Sequence, residues 1–306
     1  MKTKKNAIVV CCTASWLPLA AATLHFCTQK GAVEIADFFV ITYDITPTDS
    51  SKFHEFAAQS KFTANVHNIH PDNELRNINA RRFSTATLLR LTLDAIIPKS
   101  YERVLYMDCD VLPLRPLNEL FELNMNGKTI AAVEDYVSLP GVMNRLSDHP
   151  REIGMQVGSR YFNAGVILFD WPKILHNENL KRAAQIIMQA EKSGQNLPFL
   201  DQDVLNLEFE NNWHPLPRKF NLMTFMEGRS NDEPVLRHFN SRNKPWGKTW
   251  IPGLGKYKRN FVEVFSGTTY ASIVSDKFSR ISLPEIQEYI IRKFAIDAGF
   301  RRLNIT

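Results

Sequence analysis

The stretch Arg103-Val104-Leu105-Tyr106-Met107-Asp108-Cys109-Asp110-Val111-Leu112-Pro113-Leu114 decides how the rest of the chain is read. Residues 104–107 form an apolar run of buried-strand type that stops at two carboxylates one residue apart. In an open α/β sheet, ligands bind outside the carboxyl ends of the strands, so an acidic pair there is placed for a ligand rather than for the core. Hard cations take such oxygens, and an Asp-x-Asp pair suits Mg²⁺ or Mn²⁺ held against a diphosphate. The competing reading is that Asp108 and Asp110 cap the turn begun by Pro113 and Pro116.

Working outward, strands alternate with helices. Residues 7–12 read as a first strand, 17–30 as a helix ending at Gly31, 37–42 as a second strand, 47–61 as a helix with Thr/Asp/Ser capping chemistry, and 62–69 as a third strand. Residues 84–97 carry helical periodicity with Arg90 inside it, after a polar segment containing Arg76, Arg81 and Arg82. The pattern predicts a doubly wound, parallel sheet. A strand at 129–133 also ends in acid, at Glu134 and Asp135. The glycine- and proline-bearing span 136–160 reads as an irregular cover.

Beyond it, Phe162-Asn163-Ala164-Gly165-Val166 opens another buried strand whose Ala-Gly pair lets a ligand approach the backbone. Residues 172–193 predict one amphipathic helix. Asp201-Gln202-Asp203 stands at the opening of a further one, where Asp201 is either an N-cap or a ligand-facing carboxylate. His238 ends a short strand at 235–239 and Lys244 follows in a turn held by Pro245. Two carboxylates and an imidazole favour Mn²⁺ over Mg²⁺, and Lys244 is a suitable diphosphate counter-charge.

The 306 residues supply enough material for a continuous core, and 44% hydrophobic with 23% charged residues is an ordinary globular composition. A net charge of +5 favours anionic partners such as nucleotide phosphates or acidic lipids, with no nucleic-acid partner expected. Four cysteines without CxxC spacing (Cys11, Cys12, Cys27, Cys109) point to a reducing cytoplasm. The basic, then apolar opening imitates a signal peptide, but Trp16 and Pro18 interrupt it, and a first strand and helix are the expected reading. The closing residues 283–306 mix Ile286, Tyr289, Ile290 and Phe294 with Arg292, Lys293, Arg301 and Arg302, a basic amphipathic pattern suited to an anionic membrane or to docking on the chain's own core.

Taken together, the Asp-x-Asp strand end, Phe162-Asn163-Ala164-Gly165-Val166, Asp201-Gln202-Asp203-Val204-Leu205-Asn206 and His238 with Lys244-Pro245-Trp246 resemble the family 8 retaining glycosyltransferases. The motifs occur in that family's order and span roughly residues 7–250.

The resemblance implies an α/β fold of glycosyltransferase-A type, with a Rossmann-like mixed, mainly parallel sheet flanked by helices. It implies a catalytic unit over 1–250 and a helical extension over 251–306 that faces acceptor or membrane. It also implies transfer of galactose or glucose from a UDP-sugar to a glycan acceptor such as lipopolysaccharide or another surface or lipid-linked glycan. By the same resemblance Asp108, Asp110 and His238 hold Mn²⁺, with Mg²⁺ as the alternative, and Lys244 contacts the diphosphate. Arg90, Asn163, Ala164, Thr13 and Cys109 line the donor, and Asp201 and Gln202 face the reacting sugar. The workplace would be the cytoplasm, or the inner face of the plasma membrane where the terminal helix engages lipid.

Two departures stand out. The first strand ends in Cys12-Thr13-Ala14-Ser15-Trp16, where the family commonly carries an acidic residue and a tyrosine beside the nucleoside. Ser241 replaces the usual glycine between the His and Lys. Two other functions compete. A scaffold that binds nucleotide sugar or glycan without turnover would account for the altered strand end. A haloacid-dehalogenase phosphatase also carries Asp-x-Asp, but on its first strand and with Thr or Val where Leu112 stands here.

Overall fold

The computed structural model describes residues 4–69, 78, 85–136, 148–224, 226, 233–241, 244–247, 255–274, 290, 293 and 294. Arg76, Arg81, Arg82, the first part of the 136–160 cover and nearly all of the basic 283–306 segment lie outside the described residues. The strands are β1 (Asn6–Thr13), β2 (Ala36–Tyr43), β3 (Asn65–Asn68), β4 (Arg103–Met107), β5 (Val111–Pro113), β6 (Ile130–Glu134), β7 (Phe162–Asp170), β8 (Trp213–Pro215) and β9 (Leu236–His238). Seven of them form one sheet in the order β3-β2-β1-β4-β7-β6-β8, and β5 pairs with β9 in a small second sheet.

Buried strands rich in Val, Ile and Phe need cover on both faces, and the side chains divide accordingly. On β1, Ile8, Val10 and Cys12 join one apolar cluster, while Ala7, Val9 and Cys11 join the other. Helices Leu17–Gln29 and Pro47–Gln59 bury Leu24, Phe53 and Phe56 against the first face, the latter helix opening in a Thr46–Asp49 capping box. Helices Asn179–Ser193 and Asp201–Glu208 cover the second face. The apolar opening of the chain is therefore a central strand and its helix. Helix Gly255–Phe265 lies on the first face through Tyr257, Phe261 and Phe265, which meet Phe26, Phe56 and Phe239. Among the described residues, no helix is long and apolar enough to cross a membrane.

The sheet is mixed and mainly parallel, as the resemblance implies, and it departs from the parallel pattern of strand–helix alternation at β7, which runs antiparallel to both its neighbours, β4 and β6. The consequence is functional: an antiparallel strand starts where its parallel neighbours end. Phe162 to Gly165 thus lie at the same edge as Asp108, and Asp108 N–H donates to Gly165 O at 2.9 Å.

Two helices also differ from expectation. Residues Thr85–Ala95 form a 3₁₀ helix rather than an α-helix, with Thr92 Oγ1 and Arg90 Nε both donating to carbonyls three residues back. The segment 172–193 is two helices, Trp171–His176 and Asn179–Ser193, broken where Glu178 adopts φ +50° and Arg182 donates to Asn177 O.

Candidate functional site

The β5–β9 ladder assembles the acidic pair and the imidazole. Val111 pairs with His238, and Phe239 N–H donates to Asp110 O at 2.9 Å, so residues far apart in sequence meet at the end of β4. One ligand atom from each of Asp108, Asp110 and His238 falls within 4.8 Å of the others. His238 Nε2 lies 3.2 Å from Asp110 Oδ1 and 3.7 Å from Asp108 Oδ2.

Each of these groups has one atom committed to the protein and one left for a cation. Asp108 Oδ1 accepts from Arg90 Nη2 at 2.8 Å and Tyr106 Oη at 2.6 Å, which leaves Oδ2. Asp110 Oδ2 accepts from Lys244 Nζ at 2.6 Å, whereas its buried Oδ1 has no hydrogen-bond partner. His238 Nδ1 lies 3.0 Å from Asn221 Oδ1. Because Asn221 Nδ2 donates to Asn163 Oδ1 at 2.9 Å, its carbonyl faces the imidazole, Nδ1 carries the proton and Nε2 presents a lone pair. An orphaned carboxylate oxygen beside an unprotonated imidazole nitrogen is the donor set a divalent cation takes.

Gly165 permits this closeness, since a Cβ there would stand 2.2 Å from His238 Cε1 and 2.9 Å from Asp108 Oδ2. Gly165 thus yields room to the chain's own His238 and Asp108 side chains.

Arg90, 4% exposed, joins the cluster to the opening of helix Asp201–Glu208. It pairs with Asp108, lies 3.1 Å from Asp201 Oδ2, donates to Ala164 O at 2.8 Å, and stacks on the Tyr106 ring at 4.3 Å. Asp201 is therefore not the N-cap of its helix. That place is taken by Leu200, held at φ +47°, a left-handed geometry that costs a non-glycine residue about 1–3 kcal/mol.

Burial pushes the Asp201 carboxyl up to about 6, with Arg90 pulling the other way. Burial would raise Asp110 as well, but the charge of Lys244 beside it outweighs this and holds that carboxyl well below its usual range. The Arg90 guanidinium, which burial alone would make easier to deprotonate, is held charged by Asp201 and Asp108.

Gln202 is fully engaged. Its Oε1 accepts from Ala164 N–H at 3.0 Å and Asn163 Nδ2 at 3.2 Å, and its Nε2 donates to Asp135 Oδ2 and Tyr161 Oη, both at 3.2 Å. Asp135 also accepts from Asn163 Nδ2 at 2.9 Å. One buried carboxylate thus orients Gln202 directly and, through Asn163 and Asn221, the tautomer of His238.

Sequence reading noticed acid at the end of β6 but gave Asp135 no role, and it missed Tyr106, Tyr161 and Asn221. The acidic strand end was the available signal for Asp135, since like β4 it points its last residues at the ligand edge. Thr13, by contrast, makes only a local contact, its Oγ1 lying 3.0 Å from Ser15 Oγ. Cys109 is buried between Asp108 and Asp110, with Sγ toward Cys11 O and its own carbonyl accepting from Thr23. Lys244 Nζ sits 5.9 Å above the Trp16 ring, which places the departing first-strand segment against the cluster.

The family model described as glycosyl transferase family 8 matches residues 7–249. Over 236 residues the chain is 26% identical to lipopolysaccharide 1,2-glucosyltransferase of Escherichia coli K12, covering 72% of this chain and 67% of that protein. It is 28% identical over 217 residues to lipopolysaccharide 1,3-galactosyltransferase of Salmonella typhimurium LT2, covering 68% and 63%. Among solved structures, an active-site mutant of LgtC superposes with a TM-score of 0.71 at 22% identity, over 86% of this chain and 96% of that one. Galactosyltransferase LgtC with donor and acceptor sugar analogues gives 0.69 at 21% identity, over 93% and 99%. Such similarity establishes the glycosyltransferase-A fold, and the model match over residues 7–249, well over half of the chain, makes this chain a member of glycosyl transferase family 8.

Proposed function

We propose that this enzyme is a retaining hexosyltransferase that moves galactose or glucose from a UDP-sugar to a growing surface glycan of lipopolysaccharide type, with Mn²⁺ at the strand end. The observation that carries the reading is the convergence of Asp108 Oδ2, the unpartnered Asp110 Oδ1 and His238 Nε2, with Lys244 beside them and Asp201 and Gln202 across Arg90. The named relatives act on lipopolysaccharide with glucose or galactose, which supports the hexose and the acceptor class.

Bound there, a divalent cation supplies charge to the diphosphate as the anomeric C–O bond breaks, so the leaving group needs no proton. The chain's own part is positioning and charge. Lys244 adds a cation at the diphosphate side, held over Trp16 and anchored on Asp110. Arg90 keeps Asp108 and Asp201 from repelling one another and fixes the Ala164 carbonyl at the edge of β7. The sugar becomes cationic as its bond breaks, and the Asp201 carboxylate offsets that charge.

Retention follows from attack on the face the diphosphate leaves, its oxygen taking the acceptor proton. Gln202 is disfavoured as a nucleophile, because a carboxamide is weak and both its ends are already hydrogen-bonded. Trapping a covalent glycosyl adduct on Gln202 or Asp201 would refute the same-face route. The function itself is tested by UDP release from UDP-galactose and UDP-glucose with a glycan acceptor. Turnover dependent on Mn²⁺ is expected, and binding without turnover, or turnover indifferent to metal, contradicts the reading.

A further inference from the structure

Behind Gln202 lie three buried groups that the transfer step does not use. His149, 1% exposed, opens the short helix His149–Glu152, Tyr161, also 1%, precedes β7, and Asp203, 0%, follows Gln202. His149 Nε2 is 2.7 Å and Tyr161 Oη 2.6 Å from the same oxygen, Asp203 Oδ1, while Phe199 N–H donates to Oδ2 at 2.8 Å.

A carboxylate only accepts, so the imidazole and the phenol both donate to it. The single proton of Tyr161 is thereby committed, and its oxygen is left to accept. The neighbour 3.2 Å away must then be the NH₂ of Gln202, which turns Oε1 toward Ala164 N–H and Asn163. His149 is itself fixed edge-on between Phe199 and Tyr161, with ring centroids at 4.9 and 5.4 Å, so its N–H has one direction available.

We propose that His149, Asp203 and Tyr161 form a positioning relay that fixes the orientation of the Gln202 carboxamide for sugar transfer. The proposal rests on the reading of Gln202 as a group facing the donor sugar. His149 lies in the part of the chain that sequence alone reads as irregular cover. Through the relay, this segment controls the amide of Gln202.

The test uses the ¹⁵N-labelled full chain, with the Gln202 side-chain amide pair assigned by its loss in Gln202→Glu. His149→Phe fills the aromatic slot without a donor, His149→Gln retains a donor near Nε2, and Tyr161→Phe removes the link directly. In His149→Phe and Tyr161→Phe the Gln202 amide pair shifts or broadens, and kcat for UDP-galactose or UDP-glucose with Mn²⁺ falls about tenfold with KM held, as for one lost positioning hydrogen bond. His149→Gln restores both signals, which a purely structural role would not require.

An unmoved Gln202 amide pair in the folded variants overturns the relay, and should His149→Phe not fold, Tyr161→Phe carries the same test. A shifted amide with unchanged kcat also overturns the proposal. Gln202→Ala then tells the two failures apart, because unchanged turnover in that variant shows that it is the reading of Gln202 that fails.

Discussion

The site has two halves, and they are held by different physics. Around the cation position, Asp108, Asp110, His238, Lys244 and Arg90 are charged or potentially metal-ligating groups, and the two cations are fixed on the aspartates by ion pairs of 2.6 and 2.8 Å. In the other half, Gln202, Asn163 and Tyr161 are neutral groups oriented by hydrogen bonds that end on the buried carboxylates Asp135 and Asp203. Charge works at a distance and tolerates small displacements. A carboxamide works only in one of two orientations, so its surroundings must be specified donor by donor. In the proposed reaction the first half would stabilise the departing anion and the second would present a polar face to the sugar.

The largest break in this comparison is Asp110→Asn, which removes a carboxylate charge from the proposed cation position and from beside Lys244. UDP release is expected to fall by roughly a thousandfold, the scale of a lost stabilising group at developing charge. Next comes Gln202→Ala, expected to lower kcat about a hundredfold while Mn²⁺ affinity, measured by titration, stays as in the parent. Equal loss of metal affinity would erase the distinction between the halves. Gly165→Ala acts the other way round. The Cβ displaces His238 or Asp108, and Mn²⁺ affinity is expected to drop about 10- to 100-fold with the fold retained by circular dichroism.

The smallest effect is on pH dependence. The Asp201 carboxyl is raised from its ordinary 3.8 to about 6, so it holds its proton longer in the folded chain and is neutral below that pH. If the ionised form is the active one, turnover falls as pH drops through about 6. Asp201→Asn should then show a low rate without that limb, measured as kcat against pH.

The half that sequence reading found is the charged one. An apolar run ending in Asp-x-Asp, and a histidine ending another short strand, are visible because the strand pattern and the chemistry coincide on the same residues. What brings them together, the β5–β9 ladder, is a tertiary pairing that no local pattern encodes.

In the neutral half the resemblance points to Gln202 and Asn163, but the groups that orient them were hidden for the same reason. Asn221, Tyr161 and His149 matter through what they face, and their faces depend on β7 running against its neighbours, which strand–helix alternation did not predict. Asp201 was locally legible as an alternative between cap and ligand, and Leu200, which takes the N-cap place at φ +47°, removes the cap reading. The break at Glu178 carries no glycine or proline, so composition gave no sign of it.

The account stands most directly on one measurement, electron spin-echo detection of ¹⁴N coupling to Mn²⁺ bound to the chain with UDP. Coupling from one imidazole, present in the parent chain and lost in His238→Ala, is the predicted result. Bound Mn²⁺ with no nitrogen coupling, or coupling that survives loss of His238, would contradict a cation shared by Asp108, Asp110 and His238.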